Sequence, residues 1–290
     1  MPELPEVEIT RRKLAPNLLG RTIAGLRTTA PSYFFLTRPS ELVKKLVGRR
    51  VTALERRGKY LLLSLDEGSN LLLHLGMTGQ LFLAGSHSVR LLSERRKRDL
   101  HGATLSFEPD QHTHLQFEFA DALPGLYFRD VRKFGKVRLI APGQSDARLD
   151  KLGVDALDVD AHALFQACRK RKVAIKSVLL DQGVLAGVGN IYADEALFLS
   201  GVRPGRSAAR VTAEECTLLA ANIKRVLRRS IETGGSSISD FINPDGNDGQ
   251  FQTERKVYAR TGEACSMCEK PIKRIVIATR SSHYCPSCQR

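Results

Sequence analysis

Between Arg21 and about Ile140, apolar and polar positions alternate in short segments. Leu115, Phe117 and Phe119, separated by Gln116 and Glu118, are the clearest case, with the period of two expected of a strand that buries one face. The pattern predicts an antiparallel β half, arranged as a sandwich. A helix is predicted ahead of it: Pro5 suits a first-turn position, Glu6 and Glu8 lie where the helix dipole is positive, and Val7, Leu14 and Leu18 share a face. Pro16 is expected to end or bend that helix, since proline has no N–H to donate.

After Gly143 the period becomes helical. Thr212 and Glu215 have the spacing of a capping box, and Leu219, Ile223, Val226, Leu227 and Ile231 keep one apolar stripe until Gly234 and Gly235. Ala174 to Gln182 reads as a helix, followed by glycine turns at Gly183, Gly187 and Gly189 and a second helix over Ile191 to Phe198. A dinucleotide site is excluded there, because Tyr192 stands where the third glycine of G-x-G-x-x-G belongs and no strand precedes the turn. Asn190 is expected to cap the second helix. Two uses of that turn stand open: backbone N–H groups facing a phosphate, or plain packing of the helices. From Gly234 to Gln252, glycines with Ser236, Ser237, Asn243, Pro244, Asp245 and Asn247 leave little to bury and predict a mobile loop. A polar insert from Gly85 to His114 carries the run Arg95, Arg96, Lys97, Arg98, and its ordinary reading is a solvated basic loop.

Composition narrows the class. A chain of 290 residues that is 42% hydrophobic and 26% charged is globular and long enough for two domains, which excludes disorder and collagen. Forty-five Lys and Arg against 31 Asp and Glu give a net charge of +14, which favours nucleic acid first and an anionic membrane second. Apolar runs such as Tyr60 to Leu65 and Leu71 to Leu73 fall short of the roughly 18 residues of a membrane helix. Glu3, Glu6 and Glu8 lie where a secretory signal places positive charge, so the expected compartment is the reducing cytoplasm.

Two local groups carry chemistry. Cys265, Cys268, Cys285 and Cys288 form a C-x2-C-x16-C-x2-C array, the spacing at which two tight turns supply the four thiolates of one closed, structural zinc site. Paired disulfides are the alternative, disfavoured in a reducing compartment. Cys168 and Cys216 lie outside the array and read as packed or surface thiols. Residues 251–290 hold eight Lys and Arg against three Glu, so the hairpin suggests a basic nucleic-acid-binding arm with Arg280 aimed at a phosphate. At the other end, Met1 is normally trimmed before so small a residue as proline. Pro2 would then present a secondary amine near the α-amino range of about 7.7–8.0, a usable nucleophile. Attack on an aldehyde-level sugar carbon gives an iminium ion without an N–H, an electron sink for eliminations, and Glu3 beside it can act as acid or stabilise positive charge. Taken alone, the opening is also an ordinary helix start preceded by proline.

Taken together, Met1 to Glu8 (MPELPEVE), Arg57-Gly58-Lys59-Tyr60, His74-Leu75-Gly76-Met77-Thr78-Gly79, Arg129-Asp130-Val131-Arg132-Lys133-Phe134-Gly135, Gly187 to Glu195 and the cysteine array closely resemble the bacterial formamidopyrimidine-DNA glycosylase family over nearly the whole chain. The resemblance implies an α+β protein: an N-terminal β-sandwich with a leading helix (1–143), a helical helix–two-turn–helix domain with a lesion-capping loop (144–253) and a C-terminal zinc β-hairpin (254–290). It implies a base-excision repair enzyme that binds double-stranded DNA, removes oxidised purines such as 8-oxoguanine and formamidopyrimidines, and cleaves the strand. Pro2 would form the Schiff base, with Glu3, Glu6 and Lys59 as the further catalytic residues. Met77, Arg132 and Phe134 would fill the hole left by the everted nucleotide. His74, Asn190, Tyr258 and Arg280 would contact phosphates, and Glu195 would lie near the damaged nucleotide. One structural zinc, a monomer and a cytoplasmic, nucleoid-associated bacterial location complete the expectation. The insert from Gly85 to Gln111 is longer and more basic than the family pattern. Two alternatives are weighed: an endonuclease VIII-like preference for oxidised pyrimidines, which Leu4 and Arg132-Lys133-Phe134 disfavour, and a non-catalytic zinc-hairpin DNA binder, which Pro2, Glu3, Glu6 and Lys59 disfavour.

Overall fold

The alternating first half builds two four-stranded antiparallel sheets in the computed structural model, which describes residues 2–86, 107–237 and 241–290. The run Arg95 to Arg98 lies outside the described residues. Helix α1 (Leu4–Leu18) precedes β1 (Ile23–Thr28), α2 (Pro39–Leu46), β2 (Val51–Arg57), β3 (Tyr60–Leu65), β4 (Asn70–His74), β5 (Gly79–Leu83), β6 (Thr113–Phe119), β7 (Leu126–Asp130) and β8 (Lys136–Ile140). One sheet runs β1-β6-β7-β5 and the other β2-β3-β4-β8. The alternation in β6 is used as expected: Leu115, Phe117 and Phe119 are buried, with Phe117 opposite Leu26 and Leu115 opposite Phe128. Leu61, Leu63, Leu71, Leu73 and Val137 of the other sheet share the same core.

Helix α1 ends at Leu18, two residues past Pro16. The proline lies in the last turn, where one lost bond is tolerated, and Leu19 N–H still donates to the Ala15 carbonyl at 3.1 Å. The chain turns at Gly20, at φ +80°.

The chain divides into two compact units. One comprises Pro2, 6–146 and 234–249; the other comprises 3–5, 147–233 and 250–290. In the second, α3 (Ala161–Arg169), α4 (Ile175–Leu180), α5 (Asn190–Leu199) and α6 (Ala213–Glu232) pack around Leu164, Leu179, Val188, Leu197, Leu219, Ile223 and Leu227. The capping box forms: Thr212 Oγ1 accepts from Glu215 N–H at 3.2 Å, and Glu215 Oε2 accepts from Thr212 N–H at 2.9 Å. Tyr192, 1% exposed, belongs to this core and its hydroxyl meets Ser230 Oγ at 2.6 Å. Cys168 and Cys216 are packed thiols of the same core. Strands β9 (Lys273–Ile277) and β10 (Arg280–Tyr284) form the terminal hairpin, closed by Ala278 and Thr279 at φ +46° and +64°, as a two-residue hairpin turn of type I′ requires. Among the described residues no helix is long and apolar enough to cross a membrane.

The segment after α6 departs from expectation. Its composition leaves little to bury, yet Phe241 and Ile242 are buried, and Ile242 packs with Phe82 and Phe107. Asn243 ties the turn that follows, its Oδ1 accepting from the N–H groups of Asp245 and Asn247 at 3.1 Å.

Candidate active site and metal centre

In the first unit, Pro2 precedes α1, Glu6 lies within it and Lys59 lies at strand ends. Pro2 is buried. Glu6, 2% exposed, accepts from Ser236 N–H at 2.9 Å, so the helix-start carboxylate holds the segment that follows Gly235. Lys59 is buried in the two-residue turn between β2 and β3, where Gly58 takes φ +56°. Beside them lies a carboxylate that sequence reasoning gave only a dipole role. Glu8 accepts from Arg11 and Arg12 on its own helix and from Arg56 of β2 at 2.7–3.1 Å. Burial pushes its carboxyl up, but the guanidinium hydrogen bonds outweigh burial and bring it from 4.5 down to about 2. The i+3 and i+4 spacing of Arg11 and Arg12 was a readable signal; the contact from Arg56 was not.

At the adjacent ends of β4, β5, β7 and β8 the structure assembles Met77, Arg132 and Phe134. Met77 is half-buried in the turn after β4, and Gly76, at φ +64°, lies so close to the Phe134 and Gly135 backbone that a Cβ would overlap it. Arg132 and Phe134 are exposed, with the guanidinium 4.6 Å from the ring centroid. His74 ends β4 and lies against the Tyr60 ring at 4.8 Å.

In the second unit, the start of the chain is fastened to the glycine turn. Leu4 N–H donates to the Gly187 carbonyl at 3.0 Å, and Glu3 Oε1 accepts from Ile191 N–H at 3.1 Å. Glu3 thus occupies the positive end of α5. The N-cap residue is Gly189, and Asn190 is the first helical residue, so the expected Asn190 cap is corrected. The reason is steric: a Cβ on Gly189 would overlap the Glu3 carboxyl, and one on Gly187 would overlap the Leu4 side chain. Burial pushes the Tyr258 hydroxyl above the ordinary tyrosine range.

Glu195, one helical turn further on, is 2% exposed and accepts from the N–H groups of Lys256, Val257 and Tyr258 at 2.7–3.0 Å. Burial raises its pKa while these three bonds oppose the rise. Its carboxylate therefore fixes the backbone leading into the hairpin. Neighbouring Asp194, fully buried, meets Lys176 Nζ at 2.7 Å and accepts from His283 N–H at 2.8 Å. Sequence reading missed this trio, because no local spacing links residues 176, 194 and 283. Arg280 is exposed at the start of β10.

The four array cysteines place their sulfurs within 4.8 Å of one another, with Cys265 to Cys288 at 3.9 Å and Cys268 to Cys285 at 3.4 Å. These separations exceed a disulfide bond and match the spread of about 3.8 Å expected between ligands 2.3 Å from a tetrahedral zinc. Met267 N–H and Cys288 N–H donate to Cys265 and Cys285 Sγ at 3.4 Å, as fits thiolates. One zinc ion suits the cluster, and it has no open position for catalysis.

Comparison with known proteins supports this geometry. The descriptions "Formamidopyrimidine-DNA glycosylase N-terminal domain", "Formamidopyrimidine-DNA glycosylase H2TH domain" and "Zinc finger found in FPG and IleRS" match residues 1–137, 152–242 and 262–290. The chain is 41% identical to the formamidopyrimidine-DNA glycosylase of Thioalkalivibrio sulfidiphilus and 42% identical to that of Variovorax paradoxus, with all of each chain covered. Among solved structures, the MutM (Fpg) protein of Thermus thermophilus aligns with a TM-score of 0.83 at 37% identity, covering 99% of this chain and 98% of that one. The Lactococcus lactis Fpg complexed with abasic-site DNA aligns at 0.84 and 35% identity, covering 99% of both.

Proposed function

Because the chain belongs to the formamidopyrimidine-DNA glycosylase family, we propose that it is a bifunctional DNA glycosylase and AP lyase of base-excision repair, excising oxidised purines through Pro2. Its three parts, 1–143, 144–253 and 254–290, then serve chemistry, duplex binding and zinc-stapled backbone contact. The enzyme acts as a monomer, and its place is the bacterial cytoplasm, on the nucleoid.

Pro2 nitrogen, free once Met1 is removed, bonds to C1′ as the glycosidic C–N bond breaks and the damaged base leaves with a proton. Ring opening leaves an iminium cation. Loss of the C2′ proton expels the 3′ phosphate, and a second elimination expels the 5′ phosphate, leaving a one-nucleotide gap. Glu3 supports the opened sugar and its proton transfers, Lys59 the nucleotide and its phosphate, and Glu6 orders the segment at Ser236. The Met77 turn with Arg132 and Phe134 fills the vacated stack, offsetting an unstacking cost of a few kcal/mol. His74, Asn190, Tyr258 and Arg280 contact phosphates, and Glu195 acts through the Lys256 to Tyr258 backbone.

The observation that carries this reading is the burial of the chain's start. Terminal residues ordinarily fray, but Pro2, Glu3 and Leu4 are buried, with Glu3 seated on a helix N-terminus. Borohydride reduction with an 8-oxoguanine duplex tests it. A covalent adduct on the Pro2 nitrogen is expected, with Pro2→Ala or an acetylated amine giving none. No adduct from protein whose mass shows Met1 removed would point to a DNA binder without chemistry, and preference for thymine glycol would point to the oxidised-pyrimidine branch.

A further inference from the structure

Tyr33 lies in the loop between β1 and α2 and is 58% exposed. Nothing about that loop is loose. Val137 N–H donates to the Phe34 carbonyl at 3.0 Å, and Leu36 N–H donates to the Val137 carbonyl at 2.8 Å. Phe34 is fully buried, its ring 5.0 Å from those of Phe35, His114 and Phe128. The exposed aromatic is thus carried on a backbone that is pinned on the residue next to it.

Its contacts converge on residues 132–135. Tyr33 Oη donates to the Arg132 carbonyl at 2.8 Å. The Lys136 ammonium lies 4.9 Å from the Tyr33 ring centroid and donates to the Gly135 carbonyl at 3.0 Å, with the Phe134 carbonyl at 3.5 Å. From the opposite side, fully buried Asp130 accepts from Gly135 N–H at 2.7 Å, from Arg132 N–H at 3.3 Å and from the Thr78 hydroxyl. Between these two sets of bonds Lys133 is held at φ +57°, a conformation that lysine rarely adopts. The exposed turn thus has its N–H groups fixed from inside and its carbonyls fixed from outside.

We propose that Tyr33 and Lys136 are positioning residues that clamp the Arg132 to Phe134 turn in the shape that enters the duplex, so that discrimination of the base opposite the lesion depends on them. This rests on the reading of Arg132 and Phe134 as the hole-filling residues. A turn rigid before binding loses less conformational freedom on insertion and presents the Arg132 guanidinium to the orphaned base at a defined height.

Tyr33→Phe keeps the ring under Lys136 and deletes one hydrogen bond. In full-length, zinc-loaded protein it should lower excision of 8-oxoguanine opposite cytosine, and its preference over the adenine pair, by roughly two- to tenfold, the range of a single hydrogen bond. Strand cleavage at a preformed abasic site in single-stranded DNA has no opposite base to address and should fall much less. Lys136→Met should act in the same direction. Amide hydrogen exchange at residues 132–135 of the free protein, which needs no DNA, should speed up in both variants. Unchanged exchange overturns the clamp even if the enzymatic reading stands. Faster exchange with opposite-base preference intact, or equal loss on single and double strands, overturns its role in recognition. If the unmodified protein forms no borohydride adduct, the functional reading fails separately from the exchange result.

Discussion

Asp194→Asn puts the buried trio to a quantitative test. The substitution keeps the shape of the side chain and an acceptor for His283 N–H, but removes the negative charge that meets the fully buried Lys176 ammonium at 2.7 Å and leaves only the weaker influence of Glu3. Lys176 keeps its bond to the Ser281 carbonyl at 2.8 Å, which supplies a dipole but no counter-charge. Burial already pushes the Lys176 pKa below the ordinary lysine range, with the Asp194 charge opposing it. Breaking a buried pair on one side costs about 3–5 kcal/mol, and for a chain of this size that corresponds to a fall in Tm on the order of 10 °C. Calorimetry and the helical circular-dichroism signal of zinc-saturated protein read the change. Adding Lys176→Met removes the stranded charge and should recover part of the loss, because the uncompensated buried charge is the largest part of the penalty, although the Ser281 carbonyl loses its donor. A Tm within about 2 °C of the parent, or a double variant no better than the single one, would refute the argument that charge pairing secures β10 to α4 and α5.

Two further perturbations test other parts of the scaffold. Glu8 has a folded pKa of about 2 against 4.5 for the free group, and a depressed carboxylate contributes stability that is present above pH 4.5 and lost as pH falls towards 2. The difference corresponds to about 3 kcal/mol. Glu8→Gln should therefore lower stability at neutral pH by that order and flatten the acid limb of a urea-unfolding series between pH 4.5 and 2; an unchanged limb would show that Glu8 is not its source. Zinc removal by a chelator should abolish duplex binding while the β-sheet circular-dichroism signal persists, and full affinity without metal would contradict the role given to the hairpin.

What could be read from the sequence follows the range of the interactions involved. The Thr212–Glu215 box, the β6 alternation and the four-cysteine array are specified by residues a few positions apart or by one hairpin, so spacing alone exposes them. Pro16 lies in a last turn, so the helix runs two residues past it before it ends at Leu18. The segment after Gly235 was misjudged because composition weighs its many polar residues equally with Phe241 and Ile242, while packing turns on those two.

The same distinction governs the site. The pair Gly187 and Gly189 announced a close approach, since glycine is what a backbone needs when something else comes within a Cβ's reach, and a phosphate was one occupant to expect at a helix N-terminus. In the folded chain the approaching groups are Leu4 and Glu3, and the charge on the α5 N-terminus is the Glu3 carboxylate. A glycine in sequence records that space is required without recording what fills it, and here the fillers, Leu4 at Gly187 and Glu3 at Gly189, come from 183 and 186 positions away. The electrostatics that suit a phosphate at a helix N-terminus here hold a carboxylate. The Glu3 carboxylate is thereby fixed by backbone geometry that any bulkier side chain at position 189 would displace.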